Sequence, residues 1–298
     1  MNSWVSSPVR RWVSKYVLVL LLVTLVWGAT FPVLKLATAR LSGIEISALR
    51  FLIAAACMVP WAVRASRRAW TDGGVLGALV LASYVSQAYG LEFISSNRSA
   101  FLTSFNVLMV PLLGMAFGNR LSWTMLLAAG TACLGIGLMS WEGGADFWAD
   151  SATIFGALAY AAYVILLSRR AVQHSARELA ATQIVWMALL GSAWMLAASI
   201  GTGRLSSLPQ RLDSQIVLGL AYLGVVATAG MLFLQAVAQR HVSADKAALI
   251  YAMEPVFAAL FAWLWLSESL TVLAAFGAFL VVVAVATSEW QSAKSTGA

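Results

Sequence analysis

Residues 16–36 read YVLVLLLVTLVWGATFPVLKL, an apolar run with one charge, Lys35, near its far end. At about 1.5 Å of rise per residue, a helix of this length crosses the roughly 30 Å hydrocarbon core of a bilayer. The run therefore reads as a transmembrane helix, and the rest of the chain repeats its character.

The preceding Arg10-Arg11-Trp12-Val13-Ser14-Lys15 has the look of a twin-arginine signal, with Ala37-Thr38-Ala39 as its cleavage site. That reading is set aside, because the run is long enough to span and comparable runs follow it throughout. Of 298 residues, 61% are hydrophobic and only 10% charged, which excludes an ordinary water-soluble fold. Apolar runs between charge or Gly/Pro punctuation place helices near 16–36, 44–64, 73–94, 97–118, 121–140, 147–168, 178–200, 213–237, 243–265 and 270–288. The expected fold class is an all-α integral membrane protein with ten transmembrane helices and no sizeable domain outside the bilayer.

A net charge of +7 invites a nucleic-acid reading, but the basic residues lie in short clusters between apolar runs, with no basic face and no recognition motif. Membrane topology accounts for them better. With a cytoplasmic N-terminus, thirteen basic residues fall at inner segments and five, Lys35, Arg40, Arg98, Arg204 and Arg211, at outer ends. The acidic loop with Glu142, Asp146 and Asp150 then lies outside, and both termini are cytoplasmic. Cys57 and Cys133 sit in apolar runs and read as buried thiols. His174 and His241 lie in separate loops and read as solvated, so no metal constellation and no cofactor is expected. Neither a nucleophile with a base nor a phosphate loop is present, which leaves an enzyme reading little support.

The chain also resembles itself. An offset of 133 places Ser42 on Ser175, Glu45 on Glu178 and Leu34 on Leu167, and an offset of 147 places Ser122 on Ser269, Thr124 on Thr271 and Gly130 on Gly277. Five spans per half is an odd number, so residues 1–145 and 146–298 are expected as two five-helix repeats inserted in opposite senses. Such halves open a shared midplane cavity alternately to either side. Glu45 and Glu178 each complete a Ser-x-x-Glu capping box, and read as helix caps rather than as ion ligands.

Ionisable groups at membrane depth are the first functional candidates. Glu254, about eleven residues into the ninth span, precedes Pro255, which removes a backbone hydrogen bond there. Its carboxyl group suits a proton, a substrate amine or Arg50; a structural role is equally open. Arg50 lies in the second span and suits a substrate anion, a pair with Glu92, or a snorkelled position. Polar and aromatic residues at helical spacing add Tyr84 and Gln87, then Ser99, Thr103 and Asn106, then Tyr160 and Tyr163. Trp27, Phe31 and Tyr251 stand where they can face the same cavity. The candidate substrate-binding set is Trp27, Arg50, Tyr84, Gln87, Asn106, Tyr160, Tyr251 and Glu254, a mix of rings and hydrogen-bonding groups usual for small-molecule sites. Glycine pairs Gly73/Gly77 and Gly114/Gly118 read as helix packing.

Several of these runs resemble the EamA-type family of the drug/metabolite transporter superfamily: Trp27-Gly28-Ala29-Thr30-Phe31, Ala48-Leu49-Arg50-Phe51, Asn97-Arg98-Ser99-Ala100-Phe101-Leu102 with Pro111-Leu112-Leu113, and most specifically Glu254-Pro255-Val256-Phe257-Ala258-Ala259-Leu260 continuing to Leu266-Ser267-Glu268-Ser269-Leu270-Thr271. The resemblance covers nearly the whole chain. It implies a bacterial inner-membrane exporter or exchanger of small metabolites such as amino acids, with the fifth and tenth spans peripheral. Ser267 departs from the family's frequent Gly, and Val107 stands where the repeat offset would put a first-half counterpart of Glu254. The expected partners are a small-molecule substrate and the lipid bilayer, not nucleic acid, with the chain a monomer or homodimer. The competing function is a membrane enzyme or lipid-handling subunit acting on head groups.

Overall fold

The computed structural model describes residues 15–116, 118, 122–140, 146–266 and 271–295. Every regular element among them is helical, as expected where lipid offers no hydrogen-bond partner and each backbone N–H and C=O must be satisfied within its own segment. The chain begins with α1 (Lys15–Gly28) and α2 (Thr30–Thr38), then α3 (Gly43–Ala62), α4 (Arg67–Phe93), α5 (Ser96–Thr103) and α6 (Asn106–Ala116). It continues through α7 (Trp123–Ser140), α8 (Phe147–Arg170), α9 (Ala176–Ser199) and the single turn α10 (Leu208–Arg211). After α11 (Ser214–Ala221) comes a π-helical stretch (Tyr222–Gly230), then α12 (Met231–Ala238), α13 (Ala244–Tyr251), α14 (Glu254–Leu266) and α15 (Val272–Ser295).

Seven segments are long and apolar enough to cross a bilayer: Lys15–Thr38, Gly43–Ala62, Arg67–Phe93, Arg98–Ala116, Phe147–Arg170, Ala176–Ser199 and Ser214–Ala238. Trp123–Met139 and Val272–Ser288 are shorter apolar helices. The expected ninth segment, 243–265, is divided at Ala252–Met253. The chain is thus a multi-pass membrane protein. Leu18, Leu127, Leu134, Leu218 and Phe279 point out of the bundle, a surface that is stable only with acyl chains as solvent. Cys57 also faces outward rather than being buried as its apolar run suggested, because that run presents one side to lipid.

Inside, α3 packs on α9, α4 on both α8 and α9, and α7 on α15. A Cβ on Gly73 would lie 2.2 Å from Thr182 Oγ1, and one on Gly77 would lie 2.7 Å from the Gln183 carbonyl, so this pair does let α4 and α9 approach closely. Gly118 is different: its φ is +83°, a turn conformation, and among the described residues no atom lies within 4 Å of where its Cβ would be.

Charges gather at the two ends of the bundle. At one end Arg211 pairs with Glu45 at 2.6 Å, Arg98 with Asp150 at 2.6 Å and Arg40 with Asp213 at 3.2 Å. Lys35 Nζ there donates to the Leu91 and Ile94 carbonyls, at 2.7 and 3.0 Å. At the other end Asp72 binds both Arg170, at 3.3 Å, and His174, at 2.7 Å. His174 is accordingly buried, not loop-solvated, and His241 stacks on Tyr16 with ring centroids 3.8 Å apart. Both Ser-x-x-Glu capping boxes are formed, at the starts of α3 and α9. The acidic Glu142, the arginines Arg10, Arg11 and Arg120, and the run Ser267 to Leu270 lie outside the described residues.

Candidate functional site

Three helical paths break, and the breaks converge on one cavity. α1 gives way to α2 across Ala29, α5 to α6 across Ser104–Phe105, and α13 to α14 across Ala252–Met253. Two breaks follow from proline: Pro32 cannot donate to the Gly28 carbonyl, nor Pro255 to that of Tyr251, so each proline falls in the first turn of a new helix, where its missing N–H costs nothing. At the third break the Ser104 hydroxyl donates back to the Ala100 carbonyl at 2.7 Å, a bond that bends helices.

Broken helices in lipid leave carbonyls that need donors. Thr30 Oγ1 supplies one to Trp27 O, at 2.7 Å, and the Tyr222 hydroxyl supplies one to Val26 O, at 2.9 Å. In return Trp27 Nε1 donates to Ala227 O, at 2.9 Å, within the π stretch, whose Thr228 hydroxyl donates to Leu223 O at 2.7 Å. The irregular parts of two distant segments thus satisfy each other. Gly28 makes the third contact: a Cβ there would lie 2.8 Å from Phe257 Cβ and 3.0 Å from the Glu254 carbonyl, so only glycine lets α1 sit against the start of α14.

Seven of the eight predicted residues line the cavity: Trp27, Arg50, Tyr84, Gln87, Asn106, Tyr160 and Glu254. The eighth, Tyr251, stands behind them, its ring 5.7 Å from that of Trp27 and 6.0 Å from that of Tyr160. Phe31 is buried in a separate apolar cluster with Leu34, Ile46 and Leu223. Thr30, Ser83 and Thr103 complete the lining. Of these, Thr30 and Ser83 were missed in the sequence, as was Thr228; Thr30 lies inside the Trp27–Phe31 motif, which was a usable signal, whereas Ser83 and Thr228 are lone hydroxyls in apolar runs. The open volume is about 30 Å³, enough for a water molecule, which needs about 10–15 Å³ on this measure.

Arg50 is 4% exposed, and its Nε donates to Thr228 Oγ1 at 3.0 Å. Among the described residues it has no carboxylate partner within 4.0 Å. The expected alternative, a pair with Glu92, is not formed, because the Glu92 carboxylate instead accepts the Gly43 N–H at the start of α3. Snorkelling is excluded too, since the guanidinium faces the cavity and lies over the Tyr84 ring. Glu254, across the same cavity, is the first residue of α14, where the positive helix end favours an anion.

Hydrogen-bonding capacity is left over as well. Gln87 Nε2 reaches Thr103 Oγ1 at 3.3 Å, while the buried Asn106 Oδ1 and Ser99 Oγ have no partner among the described residues. Behind Tyr160, Gln235 donates to the Tyr160 hydroxyl at 3.0 Å and accepts from Tyr163 at 3.2 Å. A buried cation, a carboxyl group, a free amide oxygen and a cluster of rings can together hold a small molecule with both charged and apolar parts.

The family model of the EamA-like transporter family matches this chain twice, over residues 14–141 and 147–288. The chain belongs to the EamA-like transporter family. Two proteins of Archaeoglobus fulgidus, each named an uncharacterized transporter, are similar to this EamA chain: one is 28% identical over 89% of this chain and 83% of its own length, the other 23% identical over 91% and 96%. A solved structure, titled only as the crystal structure of a protein, superposes with a TM-score of 0.71 over 92% of this chain and 96% of that one, at 17% identity. That likeness concerns the fold. Family and relatives together make the chain a membrane transporter.

Proposed function

We propose that this EamA chain is a secondary transporter that moves a small polar or amphipathic metabolite of the amino acid type outward, by alternating access between two inverted five-helix repeats, residues 1–145 and 146–298. The reading rests on one observation above all: a cavity at the meeting point of three helix breaks, lined by Arg50, Glu254, Asn106 and aromatic rings. Discontinuous helices that aim their ends at a midplane site are how inverted-repeat transporters hold substrate and ions.

Helix packing supports the repeat. Exchanging α1 with α8, α3 with α9, α4 with the π stretch and α12, and α6 with α14 turns the α4–α8 contact into α12–α1, α4–α9 into the π stretch on α3, and α6–α8 into α14–α1, all of which are present. In this reading the α3–α9 and α7–α15 pairs map onto themselves and lie on the pseudo-twofold axis. The twofold family match agrees with it. The thirteen basic residues at inner segments against five at outer ends favour a topology with both termini cytoplasmic, here in a bacterial inner membrane. At about 30 Å³ the cavity is closed around little more than water, so substrate enters when the halves rock apart.

Counterflow of labelled amino acids in liposomes tests the proposal. Arg50→Lys and Asn106→Leu should each reduce transport at least tenfold; full activity in both places the substrate path elsewhere. Where transport responds to a pH gradient, Glu254→Gln should abolish that response and leave exchange measurable, whereas an unchanged response removes Glu254 from proton coupling. Cysteine labelling that finds the chain ends on opposite faces would overturn the topology.

A further inference from the structure

A second opening in the bundle is larger than the central cavity. At the Arg170 end, the last turns of α8 and the turn between α12 and α13 enclose a recess of about 330 Å³, against about 30 Å³ at the centre. The larger volume falls in the range of small-molecule sites, roughly 300–1,000 Å³.

Two buried acceptors belong to it. Gln239 is 2% exposed and lines the recess. Its Nε2 donates to the Val164 carbonyl at 3.3 Å, which fixes the amide and leaves Oε1 without a partner among the described residues. Asp245, also in the lining, has a buried Oδ1 with no partner. A buried acceptor left unsatisfied costs about 1–3 kcal/mol, so both oxygens suit a ligand that brings N–H donors.

Complementary chemistry lines the same recess. The N-cap of α13, Ser243, makes no side-chain cap hydrogen bond, whereas Ser66, Ser95, Asp146, Ser175 and Asp213 each cap their helices. The first N–H groups of α13 are therefore left without an N-cap side chain, with Asp245 the acidic residue of the same turn. Arg240, exposed at the rim, adds a guanidinium. A simple anion would leave Gln239 and Asp245 unsatisfied, and a metal cation would find a single carboxylate where hard cations take several oxygens.

We infer that this recess is a binding site, separate from the central cavity, for a small zwitterion whose ammonium group is taken by Gln239 Oε1 and Asp245 Oδ1 and whose carboxylate is taken by the start of α13 and Arg240. Gln239 lies one turn beyond Gln235, the residue that holds the Tyr160 hydroxyl of the central cavity. The inference concerns binding and stands whichever substrate the central cavity carries.

Isothermal titration of the purified full-length protein with L-alanine, L-serine, L-leucine and L-glutamate tests it, each set beside its N-acetyl and amide derivatives. At least one free amino acid should bind, with both derivatives at least tenfold weaker. Gln239→Leu and Asp245→Asn should each weaken that binding roughly tenfold or more, the loss of one bond to a charged group. Asp245→Asn changes no volume, so it carries the test if Gln239→Leu fails to fold. Absence of binding by all four amino acids, equal binding of the derivatives, or binding of inorganic phosphate that is indifferent to Gln239→Leu overturns the inference. Should both recess variants bind as the wild type does while liposome counterflow continues, the recess site is refuted and the transport reading stands.

Discussion

The guanidinium of Arg50 lies 4.9 Å over the ring of Tyr84 while its Nε donates to Thr228 Oγ1 at 3.0 Å, so a cation buried in a membrane bundle is held by a ring face and a hydroxyl, with no ion pair among the described residues. The cost of burying it is offset by these contacts only in part, which leaves an anion-binding capacity in the cavity.

Tyr84 separates ring from hydroxyl in that arrangement. Tyr84→Phe keeps a face for the cation and should retain transport and melting temperature. Tyr84→Leu removes it and should cost about 0.5–2 kcal/mol, read as a lower melting temperature together with weaker transport.

Thr228 offers the complementary test. Thr228→Val preserves shape but removes the acceptor of Arg50 Nε, and should cost roughly 1.5–3 kcal/mol, as for a hydrogen bond to a charged group. Thr228→Ser, which keeps the hydroxyl, should retain most of the stability in a detergent melt.

Gly28 is the closest approach between α1 and α14. Gly28→Ala places a methyl group 2.8 Å from Phe257 Cβ and 3.0 Å from the Ala258 backbone N, and overpacking of this kind costs about 1–3 kcal/mol. Thermal unfolding should fall accordingly, with counterflow reduced because Glu254 begins the helix that is displaced.

Gln235 serves two tyrosines at once. Gln235→Leu removes the amide that the Tyr160 and Tyr163 hydroxyls share, at about 1–3 kcal/mol in all. The triple variant Gln235→Leu with Tyr160→Phe and Tyr163→Phe should recover a large part of the lost melting temperature, since the unsatisfied groups are then gone.

Arg211 and Glu45 form a two-bond ion pair, at 2.8 and 2.6 Å, with the Glu45 side chain 4% exposed. Arg211→Met leaves that carboxylate with the Ser42 N–H of its capping box and should destabilise by about 1–3 kcal/mol, as for a hydrogen-bonded charge pair at a partly exposed position. Adding Glu45→Gln to Arg211→Met should restore part of the loss in a double-mutant cycle.

Seven of the eight cavity candidates were legible because membrane depth makes polar groups expensive, so Arg50, Glu254, Gln87 and Asn106 stand out against their runs. Ser83 and Thr228 did not, since a hydroxyl that bonds its own helix is cheap anywhere along a span. The Glu92 alternative for Arg50 failed for a related reason: facing of side chains between helices depends on rotation about each axis, which hydropathy does not encode. His174 was misread because its partner, Asp72, comes from a different helix.

By itself the sequence determined that the chain is helical and membrane-embedded, where caps form, and where Pro255 interrupts a helix, all of them local consequences of lipid as solvent and of backbone chemistry. Only the tertiary structure decided that the breaks meet at one cavity, that Arg50 is held by Tyr84 and Thr228, and that a larger recess lies beside α13. These depend on contacts between residues far apart in the chain, where close packing selects one rotation and depth for each helix.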